Sequence, residues 1–358
     1  MGHMRYLVEK AKIAQNIHVL RQRVGNKQIY VVLKSNGYGL GCAEFAAVCA
    51  EYGLHCFAVT DVREAVALVN AELDVEELLL MSSAPAERIP ELVGMGVTFT
   101  VASEEDASNL AAYPVRAHIK VDTGMGRRGF AAHQAEQIAQ LYEKYPNIRF
   151  TGIYTHFSNG MDQKASRQQY ERFRKILYEL EKRGIKPQMR HCCNSLATFY
   201  QKGMMLDGVR IGSALLGRIV GGNRFGLQRT GVCQVPVETI KTVEKGTSVG
   251  YGSIFHAKKQ MQIALCPIGT HHGFGVATRN GDQDLLPAFL GMLRLVRNRL
   301  TGRSVPSAQI GGKTCKAVGC LCSEATMLDV TGVSCKAGDL AQFDINPMLV
   351  HDVPIEFV

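Results

Sequence analysis

Over the first two-thirds of the chain, short apolar runs alternate with longer stretches of mixed polarity. Eight of the runs read as strands: residues 28–34, 55–59, 77–82, 97–101, 116–122, 150–156, 187–192 and 207–212. Within them the apolar residues are continuous, as in Ile29-Tyr30-Val31-Val32-Leu33. Such runs are expected of a parallel sheet covered on both faces. Each of the first six is followed by apolar positions at the helical period, over 43–51, 62–69, 86–93, 103–111, 133–145 and 166–183. Eight strand-then-helix units in about 200 residues have the rhythm and size of a (β/α)8 TIM-type barrel. A doubly wound sheet would give the same pattern, because periodicity does not report closure.

From about residue 225 the pattern changes. Residues 235–240, 262–265, 314–318, 327–330 and 340–343 read as short strands between Gly, Asp and Lys turns, the pattern of a mostly antiparallel β domain. One amphipathic helical stretch, 285–300, interrupts it. The expected organisation is an α/β barrel over residues 1–225 and a β domain over 226–358, with a helical insertion near 275–309.

Composition narrows the class. The chain has 358 residues, 46% of them hydrophobic and 20% charged, ordinary values for a globular protein. No window approaches the roughly 18 uninterrupted apolar residues of a membrane span, so no membrane association is expected. The net charge of +9 comes from scattered Lys and Arg residues without basic runs or interleaved aromatics, which reads as a solvated surface and not a nucleic-acid site. Met1-Gly2-His3-Met4 reads as a cloning remnant and is left out of fold reasoning. Eleven cysteines without framework spacing or a secretory leader read as free thiols of a reducing, cytoplasmic compartment. Neither Cys192-Cys193 nor Cys320-Leu321-Cys322 has a second pair at ligand spacing, so no metal site is expected.

The candidate chemistry lies at the C-terminal ends of the expected barrel strands, the face that carries active sites in such barrels. Lys34 follows the first strand, where an amine at the mouth of an apolar core is desolvated and becomes a nucleophile or Schiff-base former. Tyr38 lies just beyond it. Asp122 to Arg127 follow the fifth strand, His156 ends the sixth, Asn194 and Ser195 follow the seventh, and Arg210 to Ser213 end the eighth. A phosphate site after the last two strands recurs in this fold, and Ser195, Gly212 and Ser213 supply a hydroxyl, an unhindered backbone and a second hydroxyl there.

Six segments in this order resemble the signatures of the alanine racemase family: 32–39 around Lys34, 118–127 ending in Arg127, 154–158 around His156, 191–195, 209–212 and Gly250-Tyr251-Gly252. The resemblance spans nearly the whole chain. It implies a pyridoxal 5'-phosphate (PLP) barrel joined to a β domain, acting as an isomerase that interconverts L- and D-amino acids. Alanine is the default substrate, with serine or a larger residue as alternatives. It implies that Lys34 holds PLP and serves as the base on one face of the substrate α-carbon. Tyr251 serves the other face, reaching into a partner subunit's site, so a homodimer with shared active sites is implied. Two bases on opposite faces are what racemisation requires. The resemblance further implies that Tyr38, Ser195, Gly212 and Ser213 hold the phosphate, that His156 stacks on the pyridine ring and that Arg210 faces the pyridine nitrogen. Asn194 falls in the same cofactor-side motif. Arg127 orients the tyrosine and the substrate carboxylate, and Lys120 is a candidate for carbamylation. A permanently charged Arg210 disfavours a protonated pyridine nitrogen and so suits simple proton return. The alternatives are a PLP-dependent decarboxylase of this fold, which Arg210 disfavours, and a PLP-binding protein without turnover, which the β domain with Tyr251 disfavours.

The departures from the family pattern fall on the substrate side. Gly269-Thr270-His271-His272-Gly273 stands where the family has Gly-Tyr-Ala-Asp-Gly, and Cys322-Ser323-Glu324 where it has Cys-Met-Asp. Leu216 occupies a position that is often tyrosine, and His351 is only a loose counterpart of the family's C-terminal tyrosine. Thr270, His272, Cys322 and Ser323 are therefore the expected substrate-side residues. Loss of an entrance tyrosine admits a larger side chain unless the 275–309 insertion refills the space.

Overall fold

The computed structural model describes residues 3–276, 297 and 305–358. The helical stretch expected at 285–300 lies, Arg297 apart, outside the described residues. The described chain divides into two units, Lys10–Thr230 and a second made of residues 3–9 with Gly231–Val358.

The chain opens on β1 (Arg5–Val8) of the second unit and then builds the first. Its strands are β2 (Gln28–Val32), β3 (Cys56–Val59), β4 (Glu77–Leu80), β5 (Phe99–Val101), β6 (Val115–Asp122), the two-residue β7 (Phe130–Ala131), β8 (Ile148–Tyr154), β9 (Met189–Cys193) and β10 (Gly208–Ile211). Leaving out β7, which pairs only with β6, the eight run in the order β4-β3-β2-β10-β9-β8-β6-β5, every neighbouring pair parallel. β4 and β5 meet through a short parallel bridge, Leu80 N–H donating to Thr98 O at 2.9 Å and Thr98 N–H to Leu78 O at 2.8 Å. The expected (β/α)8 barrel is therefore present, and the doubly wound sheet is not.

Side chains cap the helices where strand ends turn over. Asp61 caps Val62–Asn70, Ser103 caps Glu104–Leu110, Asp162 caps Gln163–Glu181 and Asn194 caps Ser195–Tyr200. Residues 86–93 are a 3-10 turn, Ala86–Arg88, before a short helix, Ile89–Gly94, with Pro90 in its first turn. The strands expected to continue to 34, 82, 156 and 212 stop at Val32, Leu80, Tyr154 and Ile211. The chain leaves the barrel wall there, so Lys34, Tyr38, His156, Ser195 and Gly212 sit just beyond the strands, while Lys120 and Arg210 lie within β6 and β10.

In the second unit β1 pairs antiparallel with β11 (Gly231–Pro236) and parallel with β18 (Ile355–Phe357). The single run expected at 235–240 is two strands, β11 and β12 (Thr239–Val243), because the chain changes sheets after Pro236, which has no N–H to donate to a ladder. β12 joins β13 (Met261–Cys266) and β16 (Thr326–Asp329) in a three-stranded antiparallel sheet. β14 (Ser307–Ile310), β15 (Lys313–Lys316) and β17 (Leu340–Phe343) complete the six-stranded sheet. All eleven cysteines are free. Among the described residues no helix is long and apolar enough to cross a membrane.

The barrel interior is apolar at its wall, where Tyr30, Val32, Cys56, Ala58 and Leu79 cluster, but polar along its axis, where His118, His191, Thr100 and Arg210 are buried. Gly152 on β8 makes this possible. The β6–β8 register shifts between Ala117 and His118, and a Cβ at position 152 would lie 2.5 Å from the His118 ring. Gly152→Ala is therefore expected to displace that imidazole and to destabilise the barrel by about 1–3 kcal/mol, the range of overpacked cores. Chemical denaturation of the variant measures this, and an unchanged midpoint would mean the ring yields freely.

Candidate active site

The first strand of the barrel ends in an unusual turn. Ser35, Asn36 and Gly37 have φ/ψ of 56/49°, 54/57° and 64/37°, and Tyr38 and Gly39 continue with φ of 58° and 85°. This is one turn of left-handed helix, closed by Gly37 N–H to Leu33 O at 2.8 Å and Gly39 N–H to Ser35 O at 2.9 Å. Three of its residues carry a Cβ, each at a cost of about 1–2 kcal/mol in this conformation. Lys34 opens the turn and is exposed in the single chain, its Nζ 5.7 Å from the Tyr38 ring centre. The desolvation expected of it is absent there, because the strand ends two residues earlier at Val32. At the far end of the turn Tyr38 lies against Gly212, where a Cβ would meet its ring at 2.5 Å.

Around Tyr38 the donors for an anion are arranged with their protons free. Ser195 Oγ accepts from the N–H groups of Gly212 (3.1 Å) and Ala214 (3.3 Å), which leaves its own hydrogen to donate elsewhere. Ser213 N–H donates to the Tyr38 hydroxyl, and burial pushes that phenol up to about 12, so it too keeps a proton to donate. Lys34, Tyr38, Lys120, His156, Ser195, Arg210, Gly212 and Ser213 border one cavity of about 540 Å³, as do Arg127 and Asn194.

Arg210 forms the floor. It is 2% exposed, and its partners are neutral: Nη2 donates to Thr155 O at 2.6 Å and lies 3.3 Å from His156 Nδ1, Nη1 donates to His191 Nδ1 at 2.7 Å and to His191 O at 3.3 Å, and the guanidinium sits 4.9 Å over the Tyr154 ring. Burial pulls its pKa down from the ordinary value, yet the delocalised guanidinium is basic enough to stay charged at neutral pH and can only donate. The same burial, reinforced by Arg210, pulls His156 down to about 3 and His191 well below the usual range. A directed chain follows. Arg210 can only donate, so His191 accepts at Nδ1 and carries its hydrogen on Nε2, which donates to His118 Nδ1 at 3.1 Å. His118 then carries its hydrogen on Nε2, 3.4 Å from Glu77 Oε1, an electrostatic contact and not a hydrogen bond. Tyr30 donates to the other Glu77 oxygen at 2.6 Å. Burial and Arg210 outweigh Glu77 and pull His118 down to about 4.

Arg127 is set by a carboxylate. Asp122 accepts four backbone N–H groups, from Gly124, Met125 and Gly126 on Oδ1 and from Arg127 on Oδ2 at 2.7 Å. Burial opposes its charge, but these four bonds outweigh it and hold the carboxyl below its usual range. Lys120 is drawn down to about 8, by burial first and then by Arg127 and Arg210. Behind His156, Gln169 donates to its carbonyl at 3.2 Å, and Thr123 and Thr155 share a hydrogen bond of 2.8 Å. The Asn194 side-chain nitrogen is 3.4 Å from His156 Nε2, while its oxygen caps Ala197 N–H at 3.0 Å.

The second unit holds the rest. Tyr251 is 74% exposed, between Gly250 (φ 80°) and Gly252 (φ 72°). Thr270 and His272 come together with Cys322 and Ser323: Thr270 N–H donates to Cys322 O at 3.0 Å, and His271 N–H to Ser323 O at 2.9 Å. His272 is buried, and its Nδ1 accepts Gly269 N–H at 3.2 Å, so that nitrogen serves the turn itself. Burial, then His271, pulls its pKa down. Among the described residues no group of three His, Cys, Asp or Glu side chains is arranged to hold a metal ion.

Residues 8–219 match the family model described as "Alanine racemase, N-terminal domain", and residues 232–345 that described as "Alanine racemase, C-terminal domain". The chain belongs to the alanine racemase family. It is 31% identical to an alanine racemase of Methanococcus maripaludis over 91% of this chain and 84% of that one, and 32% identical to one of Desulforamulus reducens over 97% and 90%. The solved alanine racemase of Acinetobacter baumannii superposes with a TM-score of 0.84 over the full length of both chains at 20% identity, which speaks for a shared fold.

The buried imidazoles of His118 and His191 and the half-buried one of His156 make this barrel sensitive to acid. Unfolded histidines take up protons below about pH 6.5, whereas the folded chain excludes them until pH falls to about 4 at His118 and about 3 at His156. Stability is therefore lost as pH falls through that window, by up to about 1.4 kcal/mol per pH unit for each histidine. Thermal melts from pH 7 to 4.5 should show it. At neutral pH, 15N spectra should show His118 and His191 uncharged with hydrogen on Nε2, and hydrogen on His191 Nδ1 would overturn the directed chain.

Proposed function

We propose that this chain is a PLP-dependent amino-acid racemase with alanine as its substrate. One observation carries the reading: an amine, a hydroxyl-lined cradle and a buried guanidinium border a single cavity at the C-terminal end of the barrel. The residues fit the cofactor. The free hydrogens of Ser195 and Tyr38 suit a phosphate, the absence of a Cβ at Gly212 lets the Tyr38 hydroxyl pack against it, and Arg210 and His156 suit a pyridine ring. Lys34 would hold the cofactor's carbonyl end. When bound, PLP withdraws electrons from the substrate α-carbon and makes its proton acidic.

The chain's own groups then move that proton. Lys34 Nζ takes or returns it on one face, and the Tyr251 hydroxyl of a second copy does so on the other. The exposure of Tyr251 in the single chain supports a residue that serves another subunit's site. Arg127, held by the Asp122 loop, orients the substrate carboxylate. Arg210 cannot give up its proton to the ring nitrogen, which favours prompt return of the α-proton over loss of CO2. Racemisation in D2O with a panel of L-amino acids, read by chiral chromatography with mass detection, tests this. Deuterated D-alanine is expected, release of CO2 would indicate a decarboxylase, and bound PLP without exchange a carrier. Lys34→Ala should lower the rate about 10²–10⁴-fold, the usual contribution of a positioned base. Tyr251→Phe should be similarly impaired, and mixing the two inactive variants should restore activity if sites are shared between subunits.

The depressed Lys120 is a partly neutral amine near neutral pH, and neutral amines add CO2. The resulting anionic carbamate would sit among Arg127, Arg210 and Arg128. A carbamate carbon signal is expected after addition of 13C-bicarbonate and should vanish in Lys120→Ala. An unmodified intact mass in bicarbonate buffer would count against the modification.

A further inference from the structure

The left-handed turn that carries Lys34 and Tyr38 needs an anchor, because its conformation is unfavourable for Ser35, Asn36 and Tyr38. Its internal hydrogen bonds close the turn on itself but do not fix it to the barrel. Three bonds link it onward in the chain: Asn36 Oδ1 accepts Cys42 N–H at 2.9 Å, Gly41 N–H donates to Asn36 O at 3.1 Å and Leu40 N–H to Gly37 O at 3.2 Å. The Tyr38 side chain is tied to the loop after β10 by Ser213 N–H, whereas the turn's main chain is tied to the loop after β3 by Glu64. Its Oε1 accepts Asn36 N–H at 3.0 Å, while Oε2 accepts Thr60 N–H at 2.9 Å, Asp61 N–H at 3.1 Å and the Thr60 hydroxyl at 3.3 Å. Glu64 is 8% exposed.

Half of this set has a local explanation. Asp61 caps the helix Val62–Asn70, and the bond from Asp61 N–H back to Glu64 closes a capping box. A capping box uses one carboxylate oxygen, and here the other reaches across to the turn after the neighbouring strand. The carboxylate thereby ties the end of β2 to the end of β3 at the amide of Asn36, two residues from Lys34 and two from Tyr38. We propose that Glu64 is a positioning residue of the active site, clamping the left-handed turn so that the Lys34 amine and the Tyr38 hydroxyl are held at the spacing the cofactor requires. The inference rests on the PLP reading above.

Substituting Glu64→Gln separates clamp from shape. An amide of the same size keeps one acceptor oxygen but points an NH2 at backbone donors on its other side. Charge-assisted bonds of this kind are worth a ten- to hundredfold change when one is lost. The expected result is a PLP dissociation constant raised about tenfold or more, read by titrating cofactor-free protein and following absorbance and protein fluorescence, with the far-UV circular dichroism of the wild type. Asp61→Ala is the control, since it removes the helix cap without touching Asn36; it should lower the melting temperature and leave PLP affinity unchanged. Adding Ser35→Gly to Glu64→Gln relieves strain in the turn and should recover part of the affinity. Equal PLP affinity in wild type and Glu64→Gln would overturn the clamp, whereas a wild type that binds no PLP would overturn the cofactor reading instead. If the variant does not fold, hydrogen exchange of the wild type decides: the Asn36 amide, on an exposed residue, should exchange slowly, and rapid exchange would overturn the proposal.

Discussion

The site depends above all on a buried guanidinium that has no carboxylate against it among the described residues. Placing a charge in the interior is costly unless its hydrogen bonds are met, and Arg210 meets them with the carbonyls of Thr155 and His191, two imidazoles and the face of Tyr154. That choice of partners constrains everything near it. Imidazoles that accept from an arginine must be neutral, their tautomers are fixed, and the direction of every hydrogen bond down the barrel axis follows. The nearest anion on this chain of contacts is Glu77, two imidazoles away, so the positive charge is left uncompensated on the side that faces the cavity. A cavity with an unbalanced guanidinium on its floor and hydroxyl donors at its wall favours an anionic or electron-rich occupant.

A second constraint acts at the rim. The strands stop earlier than their apolar runs suggest, and the chain pays in backbone strain to turn sharply after β2. The strain is held by bonds that come from outside the turn, among them one oxygen of Glu64, and the Asp122 loop uses the same device, a carboxylate gathering backbone N–H groups. At both places an acidic side chain is spent on shaping main chain so that a basic side chain, Lys34 or Arg127, stands at the cavity. The two carboxylates are engaged by backbone donors, which keeps them from pairing with those basic groups and quenching them.

What could be read in advance follows from this. The eight barrel strands were legible because both of their faces are buried, which leaves continuous apolar runs, and the motifs at their ends pointed to Lys34, His156 and Arg210 as candidates, which border one cavity. β1 and β18 were not, being strands of only four and three residues whose pairing partners lie far away in sequence. The left-handed turn was hidden for a different reason. Asn36-Gly37 signals a turn, but nothing in the sequence says that Ser35 and Tyr38 share its hand. Glu64 carried a visible signal, the Asp61 to Glu64 capping box, yet its second oxygen acts across a strand boundary that only the register fixes. His118 and His191 look like ordinary strand histidines until Gly152 and the register shift of β6 on β8 bring them into line.

The substrate-side turn shows how far residue identity alone carries. Thr270 in place of a tyrosine suggested a site open to larger substrates, and His272 stands where the family has aspartate. His272 spends its Nδ1 on Gly269 and is buried and depressed in pKa, so it offers little charge to an acidic group. Gly269 has no room for a side chain, because the carbonyls of Cys322 and Ser323 close over it. The turn and the 322–323 segment therefore behave as one interlocked piece. Thr270 is exposed on that piece, at the position where the resemblance expects a tyrosine. Changes in substrate size should accordingly be sought at Thr270, while His272 answers for the shape of the turn that presents it.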